Sequence, residues 1–251
     1  MSLVLALLPL FVMASFPSAS PGAESLQTLC VAAVSANATE QLKRARAHVE
    51  AGDLEAARKI LAPLVQRFPR FGLVQLEWAE LLEKLDGPIA ERERALDAAA
   101  RLEPRNPRVF LARCRHFDRT QALAQAIESC SRALELRPEE DALALRLGIL
   151  LSLAGRDAQA IEALRKALAR APRDGVARAH LAETCERTGE IACAQREFEI
   201  LFDQNPRSAL HARRLARFYE RHGQPERAQA VLKKSGDTPR PAMRPLLPSR
   251  N

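Results

Sequence analysis

Cysteine is the residue type in this 251-residue chain best placed to do chemistry, and the spacing of its five copies narrows what that chemistry is. Cys114 and Cys130 form one near pair, Cys185 and Cys193 another, and Cys30 stands alone. Paired sulfurs can close disulfides, ligate a metal as thiolates, or sit in a core as small hydrophobes. A structural zinc site draws its cysteines from positions roughly two to four residues apart. No pair here is that close, and the five histidines, His48, His116, His180, His211 and His222, are scattered. No metal and no cofactor is therefore expected.

Catalytic constellations are also missing. There is no phosphate-cradling glycine loop, no metal-binding helix motif and no serine in a nucleophile elbow. Glutamates abound, but a charged helical surface always carries them, so no catalytic residue is singled out and no enzyme is expected. Asn37-Ala38-Thr39 fits the N-glycosylation acceptor, which has meaning only in a eukaryotic host.

The elements that hold these residues are set by a ladder of prolines. Pro69, Pro104, Pro138, Pro172 and Pro206 recur at intervals of 35, 34, 34 and 34 residues. A fixed period of this length marks a repeat array. Aligned on the prolines, a small column emerges at Ala45, Ala79, Cys114, Gly148, Ala182 and Ala216. A second holds Ala57, Ala126, Ala160, Ala194 and Ala228, with Arg92 as its exception. Between them stands a glycine, at Gly52, Gly87, Gly155, Gly189 and Gly223, with Gln121 breaking the pattern. Each unit thus reads as helix, glycine-marked turn, helix, proline-marked exit, with small residues letting the two backbones approach. A larger column, Leu61, Leu96, Cys130, Leu164, Phe198 and Leu232, fills the space between units. Composition agrees, with 47% hydrophobic residues but only 4% aromatic, and a bias to alanine, leucine and arginine, which favour helix.

The pattern resembles the tetratricopeptide repeat family. Residues 141–174 match it closely at Leu147, Gly148, Gly155, Ala160, Leu164, Ala167 and Pro172. The resemblance implies an all-α fold, an α-solenoid of about six helix-turn-helix repeats stacked in a right-handed superhelix. The units are 38–71, 72–106, 107–140, 141–174, 175–208 and a partial sixth at 209–236. The second unit has an extra residue, the third lacks its glycine and the sixth lacks its proline.

The resemblance also implies a site, because the first helix of each unit lines a concave groove in this family. Carried over, one groove column is Leu42, Leu76, Leu111, Leu145 and Ala179, and a second is Arg46, Glu80, Arg115, Ile149, Glu183 and Arg217. An apolar ladder beside a mixed-charge row suits a protein or peptide segment whose apolar side chains dock while its charges fix register. The fourth unit sharpens this, since LALRLGILLSLAG (143–155) is apolar on almost every side, with Leu145, Ile149 and Leu153 in one stripe. Self-association through that stripe competes with ligand binding, and so does cover from a neighbouring segment. Leucines occupy the column where chaperone-binding members carry the lysine of their carboxylate clamp, so that mode of binding is not expected.

The same alignment places Cys114 opposite Cys130, and Cys185 opposite Cys193 across the turn at Gly189. Two disulfides within hairpins are expected on this basis, in competition with four buried thiols.

Residues 3–14, LVLALLPLFVMA, are too few for the ~20 needed to span a bilayer. They suit the core of a secretory signal over 1–22, with small residues before the cleavage region but no basic residue ahead of it. A periplasmic or secreted protein is expected, an uncleaved membrane anchor being the alternative. Residues 23–37 are expected to form a leading helix that caps the array.

Charge supplies the last constraint. The chain carries 38 basic and 31 acidic side chains, and the whole excess lies beyond residue 208. Arg213, Arg214, Arg217 and Arg221 share one helix, and a proline-rich basic tail follows at 237–251. That end could meet an anionic polymer or membrane weakly. One Trp and one Tyr offer little stacking surface, so specific nucleic-acid recognition is not expected. The reading is a non-enzymatic scaffold that binds a protein or peptide in its groove, within a cell-envelope assembly. The alternative is a surface adaptor that acts through its basic end.

Overall fold

The structure, a computed structural model, describes residues 21–236, which form twelve α-helices and no strand. The signal segment up to residue 20 and the tail 237–251 lie outside the described residues. No described helix is long and apolar enough to cross a membrane.

Two compact units divide the chain after Gly87. In the first, α1 (Pro21–Glu50) packs on α2 (Leu54–Arg67), and both meet α3 (Gly72–Lys84). The α1 helix runs without a break through residue 37, where a separate leading helix was expected to end. Asp53 starts α2 by accepting a hydrogen bond from the Ala56 amide at 3.0 Å, which satisfies a donor the helix cannot serve itself.

The second unit holds α4 (Ile89–Leu102), α5 (Pro107–Arg119), α6 (Leu123–Leu136), α7 (Asp141–Leu153), α8 (Asp157–Arg170), α9 (Gly175–Arg187), α10 (Ile191–Gln204), α11 (Ala209–Arg221) and α12 (Pro225–Ser235). Consecutive helices pack on each other, from α4 on α5 through α11 on α12. The local cause is the punctuation. Each ladder proline stands two residues past a helix end, at Arg67, Leu102, Leu136, Arg170 and Gln204, where a missing N–H and a fixed φ forbid another turn. The odd-numbered helices end at a left-handed residue instead. Gly155 and Gly189 take φ of 71° and 79° there, at no steric cost.

Two turns depart from the glycine column. Gln121 adopts φ 59° without being glycine, so the turn is kept and strain is accepted. In the second repeat Asp86, not Gly87, takes the left-handed conformation, at φ 51°. The extra residue of that repeat moves Gly87 to a different duty. A Cβ there would stand 2.8 Å from Leu82 Cδ2, so Gly87 permits a close approach.

The small columns form the core. Ala45, Ala79, Cys114, Ala182 and Ala216 are at most 2% exposed, as are Ala57, Ala126, Ala160, Ala194 and Ala228 opposite them. At Gly148 the approach is closest, since a Cβ would lie 2.7 Å from Leu164 Cγ. Arg92, the exception among the second-helix alanines, is buried, and its Nε and Nη1 find no partner among the described residues.

Candidate functional site

The residues expected to line a groove divide into three groups by exposure. Leu42 and Leu76 are 3% and 0% exposed, and Ala179 is equally buried, so they present nothing to a ligand. This corrects the apolar ladder, and its cause is simple. The column lies one helical turn before the small column, on the same face, and is drawn into the packing between helices. Leu111 and Leu145 are half-buried and pack on the edges of the core in the second unit. Ile149 is half-buried, while Leu153, at 66% exposed, stands free.

The apolar character of α7 has the same resolution. Leu143, Ala144, Leu147, Leu150 and Leu151 are all buried, so most of the helix is core. Among its large apolar side chains, Leu145, Ile149 and Leu153 rise toward solvent.

The mixed-charge column is largely engaged. Arg46 donates to buried Glu77 at 2.7 Å within the first unit. Glu80 and Arg115 are half-buried and carry partners of their own. Glu183 faces Arg214 at 3.4 Å. Arg217 is exposed and carries no partner among the described residues.

A recurrent clamp explains why Leu153 is free. Arg221, at the end of α11, makes a two-pronged contact with Glu186 of α9, at 2.9 and 2.7 Å. One repeat earlier Arg187, at the end of α9, reaches back to α7 and α8, donating to the Ser152 carbonyl at 3.2 Å, Ser152 Oγ at 2.8 Å and Asp157 Oδ1 at 2.6 Å. Its guanidinium holds the Asp157 carboxyl below the usual carboxylate range, against the opposing effect of desolvation. One repeat earlier again the position is Leu153. No clamp can form, and Arg146 pairs with Asp118 from a different place on α7. The array thus swaps a structural arginine for an exposed leucine.

Beside this stripe α9 and α11 enclose a cleft of about 770 Å³. Phe198 contributes to its lining, Leu210 is 58% exposed on its wall, and Arg213, Arg214, Arg217 and Arg221 supply positive charge against Glu183 and Glu186. Nearby His211 is pushed below the ordinary histidine value by burial and by Arg214, so it adds no charge at neutral pH. The cleft can hold an apolar side chain with a carboxylate beside it. Leu210 and the cleft were missed by sequence reasoning, although the column two residues into each first helix, Val176 and Leu210, is the signal that could have found them, both being exposed.

The cysteines meet as paired. Cys114 joins Cys130 between α5 and α6, and Cys185 joins Cys193 between α9 and α10, with Cα separations of 4.9 and 5.9 Å. Glu190 lies with Cys185 and Cys193 in a group whose ligand atoms fall within 4.8 Å. Metal ligation by this group would need both cysteines as free thiolates, the alternative to the bridge.

Models of the tetratricopeptide repeat match residues 41–70 and 124–175. No curated protein matches the chain by sequence. Among solved structures, YrrB, described as a tetratricopeptide repeat protein with an unusual peptide-binding site, is 18% identical with a TM-score of 0.61, over 70% of this chain and 91% of its own. MamA from Desulfovibrio magneticus is 18% identical with a TM-score of 0.58, over 66% and 93%. A tetratricopeptide repeat protein from Parabacteroides merdae is 18% identical with a TM-score of 0.59, over 81% and 80%. The period, the helix order and these likenesses agree: the fold is the all-α solenoid of tetratricopeptide repeats.

Proposed function

We propose that the chain is a scaffold that binds a protein or peptide segment along the first-helix face of its second unit, from the α7 stripe to the α9–α11 cleft. The observation that carries this reading is the pairing of exposed leucines with an unengaged cation. Leu153 and Leu210 are 66% and 58% exposed where neighbouring positions are clamped or buried, and Arg217, which lines the cleft with Leu210, has no partner among the described residues. Burying two such leucines stabilises a complex by about 1.5–3 kcal/mol each, enough to anchor a modest interaction. The arginine and the cleft favour a segment that carries an acidic group next to an apolar side chain. YrrB, similar in fold, is described as binding peptide at an unusual site, which is in keeping with this use of the fold.

The surface-adaptor reading gains less support. Of the four arginines on α11, Arg214 and Arg221 are spent on Glu183 and Glu186 of α9, and Arg213 also has a partner. We place the protein in the cell envelope, exported by its N-terminal signal, with both cysteine pairs oxidised there.

The test uses cross-linked capture from the native host with the wild-type chain, a Leu153→Glu/Leu210→Glu variant and a chain lacking 237–251. Groove binding predicts that the double variant loses its partner while the truncated chain keeps it, and that capture survives ~0.5 M salt. The reverse pattern would support the adaptor reading.

A further inference from the structure

The two cysteine pairs differ in access and in charge. Cys114, Cys130 and Cys185 are all 0% exposed, whereas Cys193, near the start of α10, is half-buried. Arg165 of α8, in the preceding hairpin, sets Nη2 3.8 Å from Cys193 Sγ and 3.5 Å from Glu190 Oε2. Near the other pair, Arg113 is held by Asp97, and Arg132 by Glu135 and the Pro104 carbonyl.

We propose that Cys193 is a thiol-exchange site, at which a small-molecule thiol such as glutathione opens the Cys185–Cys193 bridge and becomes attached. Thiol–disulfide exchange requires a thiolate to reach one sulfur of the bridge from the side opposite its partner. Only Cys193 is open to solvent, so the attack falls there. The incoming thiolate forms a new S–S bond to Cys193 Sγ as the bond to Cys185 breaks, and the departing electron pair stays on Cys185 sulfur, which takes up a proton. A second thiol then attacks the glutathione sulfur of this mixed disulfide, releasing glutathione disulfide and leaving Cys193 as a thiolate beside Arg165. Two small thiols are oxidised to one disulfide, and one protein disulfide is reduced to two thiols. Arg165 acts twice, drawing in an anionic thiolate and stabilising the negative charge left on Cys193. Glu190 shares this guanidinium at 3.5 Å, so Arg165 divides its charge between that carboxylate and Cys193.

Opening the bridge removes the covalent tie between α9 and α10 beside the Gly189 turn. The α9 helix carries Glu183, Glu186 and Arg187, so the site lies behind one wall of the cleft. The inference stands on the bridged pair alone and holds whether or not that cleft binds a partner.

The experiment treats the full chain, purified without reductant, with graded reduced glutathione, followed by acid quench, alkylation and peptide mass spectrometry. Cleavage after Arg187 puts Cys185 on peptide 179–187 and Cys193 on peptide 188–196. The expected result is a glutathione adduct on 188–196 and none on 179–187, at concentrations that leave Cys114–Cys130 intact. Arg165→Met is expected to slow adduct formation by about fivefold or more, in line with the loss of a charge beside the reacting sulfur. An adduct on Cys185, simultaneous opening of both bridges, a rate unchanged in Arg165→Met, or Cys185 and Cys193 found as free thiols before any glutathione is added would each overturn the proposal.

Discussion

The α7–α8 and α9–α10 hairpins are one period apart, yet they are held by different forces. In α9–α10 the interior is partly ionic. Arg178 pairs with Glu197 inside the hairpin and donates to the Pro172 carbonyl at 2.5 Å, and both side chains are about nine-tenths buried. The equivalent positions in α7–α8 are Ala144 and Ala163, and a hollow of about 570 Å³ opens beside Ala144. On the opposite edge Arg187 clamps α9 to the preceding hairpin, where α7 offers Leu153 instead. In place of charge, α7–α8 relies on the contact of Gly148 with Leu164. The lesson is that the period sets where helices meet but not what joins them. A hairpin stabilised by apolar packing alone can leave leucine on its surface for another use.

Breaking the ionic interior should have the largest effect. Glu197→Ala leaves the Arg178 guanidinium buried without its carboxylate and should cost about 3–5 kcal/mol by denaturant unfolding. Adding Arg178→Ala copies the alanine pair of α7–α8, and the double variant should recover part of that loss. If it is as unstable as the single variant or worse, the two hairpins are not alternative solutions to one packing problem.

In α7–α8 the sensitive point is Gly148. Gly148→Ala forces its Cβ toward Leu164 and should cost about 1–3 kcal/mol net of any gain in helix propensity. Alanine is the native residue at the same place in α9, where Phe198 lies opposite, so Gly148→Ala with Leu164→Phe should not restore stability if the close approach is what matters. Thermal unfolding of the two variants decides this.

The turns give a smaller effect of opposite sign. Gln121→Gly removes a left-handed non-glycine conformation of the kind Gly155 and Gly189 accept freely, and should stabilise by about 1 kcal/mol. An unchanged unfolding midpoint would show that the Gln121 turn is not strained.

Much of this was legible in the sequence, for reasons that differ by element. The prolines and glycines act through covalent geometry, so they located the helix ends regardless of context. The small columns followed from the need of paired backbones to approach. The groove did not follow, because Leu42 and Leu76 have the same residue type and spacing as Leu145 but differ in how far neighbouring helices cover them. Nor did the clamp, since the sequence shows Arg187 and Arg221 in the column of Leu153 but not that they reach Asp157, Ser152 and Glu186 in the neighbouring helices. Asp86 took the turn position assigned to Gly87 because the extra residue of the second unit, visible in its 35-residue interval, shifts the register at the turn.

Two titrations sharpen the contrast further. Asp157 has a folded value lowered by Arg187, so its contribution is present above the ordinary carboxylate value near 3.8 and is lost as pH falls below it. Asp157→Asn should flatten that part of the acid unfolding curve, whereas no paired carboxylate serves Leu153. Tyr219, the only tyrosine, is pushed up to about 12 by burial and by its 2.6 Å hydrogen bond to Glu199. Its contribution is complete below the ordinary value near 10 and is lost as pH rises through about 12. Tyrosinate absorbance should show that midpoint in the folded chain, and a midpoint near 10 would mean that α10 and α11 are not packed there as described.

The central claim is that Leu153, spared from the clamps, is there to meet a partner. It is tested most directly by capture with Leu153→Arg, which installs the residue that the next two repeats carry at this position. The account predicts that folding stability changes by no more than about 0.5 kcal/mol, as at an exposed site, while partner capture is lost. Undiminished capture by a folded Leu153→Arg chain would contradict it.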